Sequence, residues 1–201
     1  MPLLASQSVL PPKDSWQQAS DIDLLENAKK DSAAFGMLMT RYETPLLRYL
    51  VRFTGWAEEE VQDILQEAFI KVYRNLNDFD PSLKFSSWLY RVVHNQAVDA
   101  IRRQVSHPIT NMLPIEETAR LVASETNLET ELTLAQDLES IRQAIAELPL
   151  HYREVLILRF LEEKDYEEIM DILKKPKGTV ATLIKRGRAL LLERLSISKT
   201  Y

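Results

Sequence analysis

The chain has 201 residues, a formal net charge of −5 and 45% hydrophobic residues, enough for one or two domains with real cores. It has no cysteine, which excludes disulfides and thiolate metal sites, and His94, His107 and His151 are too scattered for a ligand set. No apolar run reaches the roughly 18 residues of a membrane span; the first residues lack a basic n-region and break at Pro11-Pro12, so a cytoplasmic chain without a signal peptide is expected.

Residues 1–19 are polar, contain prolines and show no period, which predicts a disordered tail. Ser20 is placed to cap a short helix from Asp21. Asp31 is placed to cap a long one, because Phe35, Leu38, Met39, Tyr42, Leu46, Tyr49, Leu50 and Phe53 recur at steps of three and four. Pro45 should kink that helix and Gly55 should end it. A third helix is predicted from about Ala57 to Leu76, burying Val61, Ile64, Leu65, Ala68 and Val72. The loop NDFDPS follows, and a fourth helix starts near Phe85 or Ser86 and runs to about Arg103. Residues 20–104 therefore form one helical domain.

From Val105 to about Asn127 the period fades around Pro108 and Pro114, as in a surface linker, and it returns from Leu128; residues 105–137 read as an acidic linker. A second helical domain is predicted over 138–201. Pro149 opens the apolar LHYREVLILRFLEE, and Asp165 with Glu168 reads as a capping box for YEEIMDILK. KPKG at 175–178 turns the chain into a last helix from Thr179. The fold expected is thus all-α, two helical domains joined by a flexible linker.

The last two helices read as a helix-turn-helix. From Lys174 to Arg194 seven basic residues face one acid, Glu193. Val180, Ile184, Gly187 and Leu191 form one buried stripe, and Gly187 permits a close helix approach. That leaves Lys174, Lys175, Lys177, Thr179, Thr182, Lys185, Arg186 and Arg188 as candidates for base edges and phosphates. The bland alternative is a solvated helix corner whose C-terminal cations suit the helix dipole. In the fourth helix, Phe85, Trp88, Tyr90, Arg91, His94, Asn95, Asp99, Arg102 and Arg103 interleave rings, cations and amides, as a single-stranded DNA platform requires; Phe85 and Trp88 could equally be core. On the third helix Asp63, Gln66, Glu67 and Phe69 offer an acidic face with an aromatic, suited to protein docking, or equally a solvated face with a Glu67–Lys71 pair.

Together these segments resemble the extracytoplasmic-function (ECF) sigma factors of bacterial RNA polymerase. AFGMLMTRYETPLLRYLVRFTG, EEVQDILQEAFIKVYRNL and FSSWLYRVVHNQAVDAIRR look like sigma region two, and ELPLHYREVLILRF, DYEEIMDIL and PKGTV look like region four. The resemblance implies a non-enzymatic initiation factor without cofactor or small-molecule substrate. Its partners would be core polymerase (clamp and flap), promoter DNA and an anti-sigma factor, which could hold it at the membrane. It implies that Asp63, Gln66, Glu67 and Phe69 dock on the clamp. Lys84, Phe85, Ser87, Trp88, Arg91, Asn95, Asp99, Arg102 and Arg103 would read and unstack the −10 strand. The helix-turn-helix candidates would read the −35 element. The chain departs from the family where Lys174-Lys175 replace a Gly–hydrophobic pair, where Ala181 and Leu183 replace common cations, and where Met170 replaces a small residue. The rival readings are a stand-alone helix-turn-helix regulator, which needs neither a docking face nor an aromatic fourth helix, and an enzyme or adaptor. The enzyme reading lacks a phosphate-binding Gly loop and a convergent His/Asp/Glu set.

Overall fold

The computed structural model describes residue 16, residues 18–106 and residues 141–198. All regular structure among them is helical: α1 (Asp21–Ala28), α2 (Ser32–Thr54), α3 (Glu58–Arg74), a 3-10 turn (Leu76–Asp78) and α4 (Phe85–Ser106). After the undescribed stretch come α5 (described over 141–146), α6 (Leu150–Leu156) running into a π-helical turn (Ile157–Leu161), α7 (Tyr166–Leu173) and α8 (Lys177–Ser198). The linker expected over 105–137 lies outside the described residues, except that 105 and 106 extend α4.

Local chemistry sets these boundaries. Ser20 and Asp23 form a reciprocal capping box on α1, and Asp31 accepts from the Ala33 amide to start α2. Gly55 closes α2 in the left-handed region, at φ 75°, where a Cβ would be disfavoured. Pro45 removes one donor, yet α2 remains a single helix of 23 residues, carried by its buried face. Asp165 and Glu168 exchange side-chain and amide bonds of 2.8 and 3.1 Å to open α7, as the sequence predicts. α8 begins at Lys177, two residues ahead of the expected Thr179.

The first domain buries Leu24, Leu38, Leu46, Leu50, Phe53, Val61, Val72 and Leu89 between α1–α4. Trp16, inside the stretch expected to be a tail, is also buried against this core. One large ring can anchor a segment that has no period of its own, because it removes so much apolar surface from water. The second domain buries Ile145, Val155, Leu156, Ile169, Ile172, Val180 and Ile184. Gly187 faces the Leu156 side chain, so the close approach it permits is between α8 and α6. The two cores are continuous: α7 packs along α4, and the π-helical turn reaches α2. Among the described residues no helix is long and apolar enough to cross a membrane.

Candidate nucleic-acid interface

On α3, steps of three and four bring Asp63, Gln66 and Glu67 together on solvent. The next residue in that stripe is Ile70, 53% exposed, while Phe69 turns half inward against the core. The apolar element of the face is therefore Ile70, which sequence reasoning passed over in favour of its more conspicuous aromatic neighbour. Helical phase counted from Asp63 would have found it. Lys71 does not pair with Glu67; its Nζ donates to Gln96 Oε1 at 3.3 Å, and Gln96 Nε2 donates to Glu67 at 3.4 Å. Arg103 approaches the same carboxylate at 3.8 Å, so the docking candidates abut the DNA candidates.

The α4 candidates divide. Phe85, Ser87 and Trp88 are buried, and Phe79 from the preceding loop packs on the two rings. Its ring lies 5.5 Å from Phe85 and 5.4 Å from Trp88, and Tyr42 meets the far edge of Phe85. In this conformation neither ring can stack on a base; both build the N-terminal end of the platform. Lys84, Asn95, Asp99, Arg102 and Arg103 are exposed and Arg91 is half-buried. Asp99 and Arg102 form a surface pair at 3.7 Å. The charged and amide members of the expected set thus reach solvent, while Ser87 and the two aromatics do not.

On α8 the stripe Val180, Ile184 and Gly187 is buried, and Thr179, Thr182, Lys185 and Arg186 are exposed on the other side. The Thr182 hydroxyl donates to the Gly178 carbonyl at 2.8 Å, leaving a lone pair outward. Arg188 sits over the Phe160 ring at 5.9 Å, on a different flank. Leu183 is half-buried and extends the apolar stripe. Lys177 is exposed at the start of the helix. Lys174 ends α7 in the left-handed region and bonds Asp171 at 3.3 Å. Lys175 turns inward, 2.9 Å from Glu154.

That last contact belongs to a buried polar chain that the sequence did not reveal. Tyr49, fully buried, lies 2.8 Å from His94 Nδ1, and His94 Nε2 lies 3.4 Å from Glu154. Burial, then the Glu154 charge, raises the Tyr49 pKa, so its hydroxyl stays protonated and donates to Nδ1. That assigns the Nε2 proton to Glu154. Burial pushes the Glu154 carboxyl up, but His94 and Lys175 together hold it below the usual carboxylate range. These four residues come from α2, α4, α6 and the turn before α8, separations that no local motif reports. A cleft beside them is lined by Lys71, Asn95, Asp99, Arg102, His151 and Lys175, so −10 and −35 candidates share one concavity.

Family models match both halves of the chain: sigma-70 region 2 over residues 38–106 and sigma-70 region 4 over residues 138–191. The ECF RNA polymerase sigma factor SigW of Bacillus subtilis is 34% identical over 172 residues, 83% of this chain and 91% of the relative. The ECF RNA polymerase sigma-E factor of Escherichia coli K12 is 33% identical over 178 residues, 86% and 92% of the two chains. The solved structure of CnrH in complex with the cytosolic domain of CnrY shares the fold at a TM-score of 0.64 and 24% identity, covering 89% of this chain and 99% of that one. The sigma factor RpoE of Bartonella quintana, solved with the anti-sigma factor NepR, does so at 0.62 and 20% identity, over 81% and 97%. With both regions present in order on an all-helical frame, and with relatives matched over most of their length, the chain belongs to the ECF sigma factors, the initiation factors that direct RNA polymerase to promoters.

Proposed function

We propose that the chain works through three adjoining faces. The α3 face of Asp63, Gln66, Glu67 and Ile70 docks on the polymerase clamp. The outer face of α4, with Lys84, Arg91, Asn95, Asp99, Arg102 and Arg103, holds the separated −10 strand. Thr179, Thr182, Lys185 and Arg186 read the −35 duplex. Polymerase performs the chemistry, and this chain supplies recognition, strand separation and register in the cytoplasm. An anti-sigma factor, like those in the two solved complexes above, is the regulatory partner this reading implies.

The observation that carries the proposal is the exposed isoleucine among carboxylates on α3. Ile70 is 53% exposed, and an apolar group ringed by charge is the usual centre of a protein interface. A pull-down with core polymerase tests it. Ile70→Ser, and Asp63→Lys with Glu67→Lys, should each lower core affinity by about tenfold or more, the effect of losing one interface hot spot. Unchanged affinity, with a normal circular dichroism spectrum, would remove the α3 face from the mechanism.

A further inference from the structure

The turn that leads into α8 is fastened to the second domain by a charge. Lys174 ends α7 in the left-handed region, and Lys175 follows it in place of a hydrophobe. The Lys175 Nζ lies 2.9 Å from Glu154 Oε1 of α6, whose side chain is 7% exposed against 32% for the lysine. Glu162, which closes the π-helical turn, accepts from Arg52 at 2.9 Å and from the Tyr90 hydroxyl at 2.8 Å. Those contacts join the two domains, as does the approach of His94 to Glu154 at 3.4 Å. The Lys175 pair lies wholly within the second domain, so it goes with α8 wherever that domain is placed.

One residue, Pro176, separates this anchor from the helix. Its ring fixes φ and disfavours the helical state for Lys175, and its carbonyl accepts the Thr179 and Val180 amides at 2.9 and 3.0 Å. Little freedom therefore remains between the Lys175 backbone and the first turn of α8. From Lys177 to Gly187 is ~15 Å of helix, and there Gly187 meets the Leu156 side chain of α6. Buried Val180 and Ile184 set which face of α8 turns inward. Its direction is set by two attachments to α6, the close contact at Gly187 and the ion pair ahead of the helix start. Thr179, Thr182, Lys185 and Arg186 all lie between them. A side chain that grips a base edge in two places tolerates little misplacement, whereas a cation near a phosphate acts as a point charge and tolerates more.

We propose that Lys175 is a positioning residue for −35 recognition: its pair with Glu154 sets the tilt at which α8 presents Thr179, Thr182, Lys185 and Arg186, and its ammonium does not itself contact DNA. This deepens the reading of α8 given above and rests on it. It also reverses what the lysine's place in a basic run suggests, since moving to a phosphate would leave a buried carboxylate uncompensated.

Holoenzyme bound to a panel of −35 variants at several salt concentrations tests this, with a urea midpoint for each chain to show that it is folded. Lys175→Met keeps the side chain's length and leaves Glu154 uncompensated. It should narrow the spread of affinities across the panel by about tenfold, the loss of one base contact, while the slope of log affinity against log salt stays that of wild type. Glu154→Gln should narrow the spread in the same direction. Lys175→Met with Glu154→Met replaces the pair by apolar groups of similar volume and should restore most of the spread. If a single variant unfolds, the double variant decides, because it lacks the lysine and should still rank the panel as wild type does. A slope reduced by about 0.9 in both Lys175→Met and the double variant, with the ranking kept, makes Lys175 a phosphate contact and overturns the proposal. A wild-type holoenzyme that does not rank the panel removes the α8 reading, and the proposal with it. A wild type that ranks the panel and a Lys175→Met that ranks it equally remove the proposal alone.

Discussion

Lys174 closes α7 at φ 52° and ψ 42°, a backbone state in which a Cβ crowds the following carbonyl. Left-handed closure at a helix end usually falls to glycine, and a lysine there carries a strain of about 1–2 kcal/mol. Its bond to Asp171 is solvent-exposed and offsets little of that. The sequence shows the departure, a lysine pair in place of Gly and a hydrophobe, but only the backbone shows that the first lysine is strained. Lys174→Gly should therefore raise stability by about 0.5–1 kcal/mol, the relief being partly offset by the added freedom of glycine in the unfolded chain. The urea midpoint, measured at constant slope, checks this. A lower midpoint would show that Lys174 holds the turn by some contact of its side chain.

At the scale of elements, what was legible is what is local. Ser20, Asp31, Gly55 and the Asp165–Glu168 box each act within four residues, so their effect on α1, α2 and α7 could be read directly. On α3 the exposed stripe of Asp63, Gln66 and Glu67 continues through Ile70, whereas Phe69, the aromatic of the expected docking set, is half-buried. Phe85 and Trp88 looked like a stacking platform because sequence cannot show that Phe79 folds back over them. Glu154 and Glu162 were missed for a different reason. Their partners lie between 21 and 110 residues away, and an acid at the edge of an apolar helix carries no periodic signature of such a contact. Gly187 was read correctly as a close approach, though to α6 rather than α7. A Cβ there would lie 3.2–3.4 Å from Leu156 side-chain atoms, and a branched side chain would drive further into them. Gly187→Val should cost about 1–3 kcal/mol, and distinctly less in a Leu156→Ala background, where the cavity accepts the added methyls. A double-mutant cycle by urea unfolding measures the coupling. Strict additivity would mean that α8 tolerates the bulk by moving away.

For the whole molecule the net charge of −5 opposes DNA binding, so affinity must come from how the charge is distributed and from the polymerase that carries the chain. Between Lys174 and Arg194 the local balance is strongly basic, yet the structure divides these cations by exposure and partner. Lys175 is spent on Glu154 and Arg188 on Phe160, which leaves Lys177, Lys185 and Arg186 facing solvent beside Thr179 and Thr182. Arg186 sits opposite the buried stripe, two turns into the helix from Thr179, where a major groove would receive a side chain able to bind a guanine edge in two places. Lys177 sits at the helix start, where a backbone phosphate is the nearer target. A base contact discriminates by about 1–3 kcal/mol; a phosphate contact contributes salt-dependent affinity that is blind to sequence. In holoenzyme assayed on a panel of −35 variants, Arg186→Ala should therefore compress the ranking by about tenfold or more at one position. Lys177→Ala should weaken binding to every variant alike and reduce the slope of log affinity against log salt by about 0.9. If Lys177→Ala reorders the panel while Arg186→Ala only lowers it uniformly, the two roles are exchanged, and α8 lies in the groove turned about its own axis from the orientation inferred here.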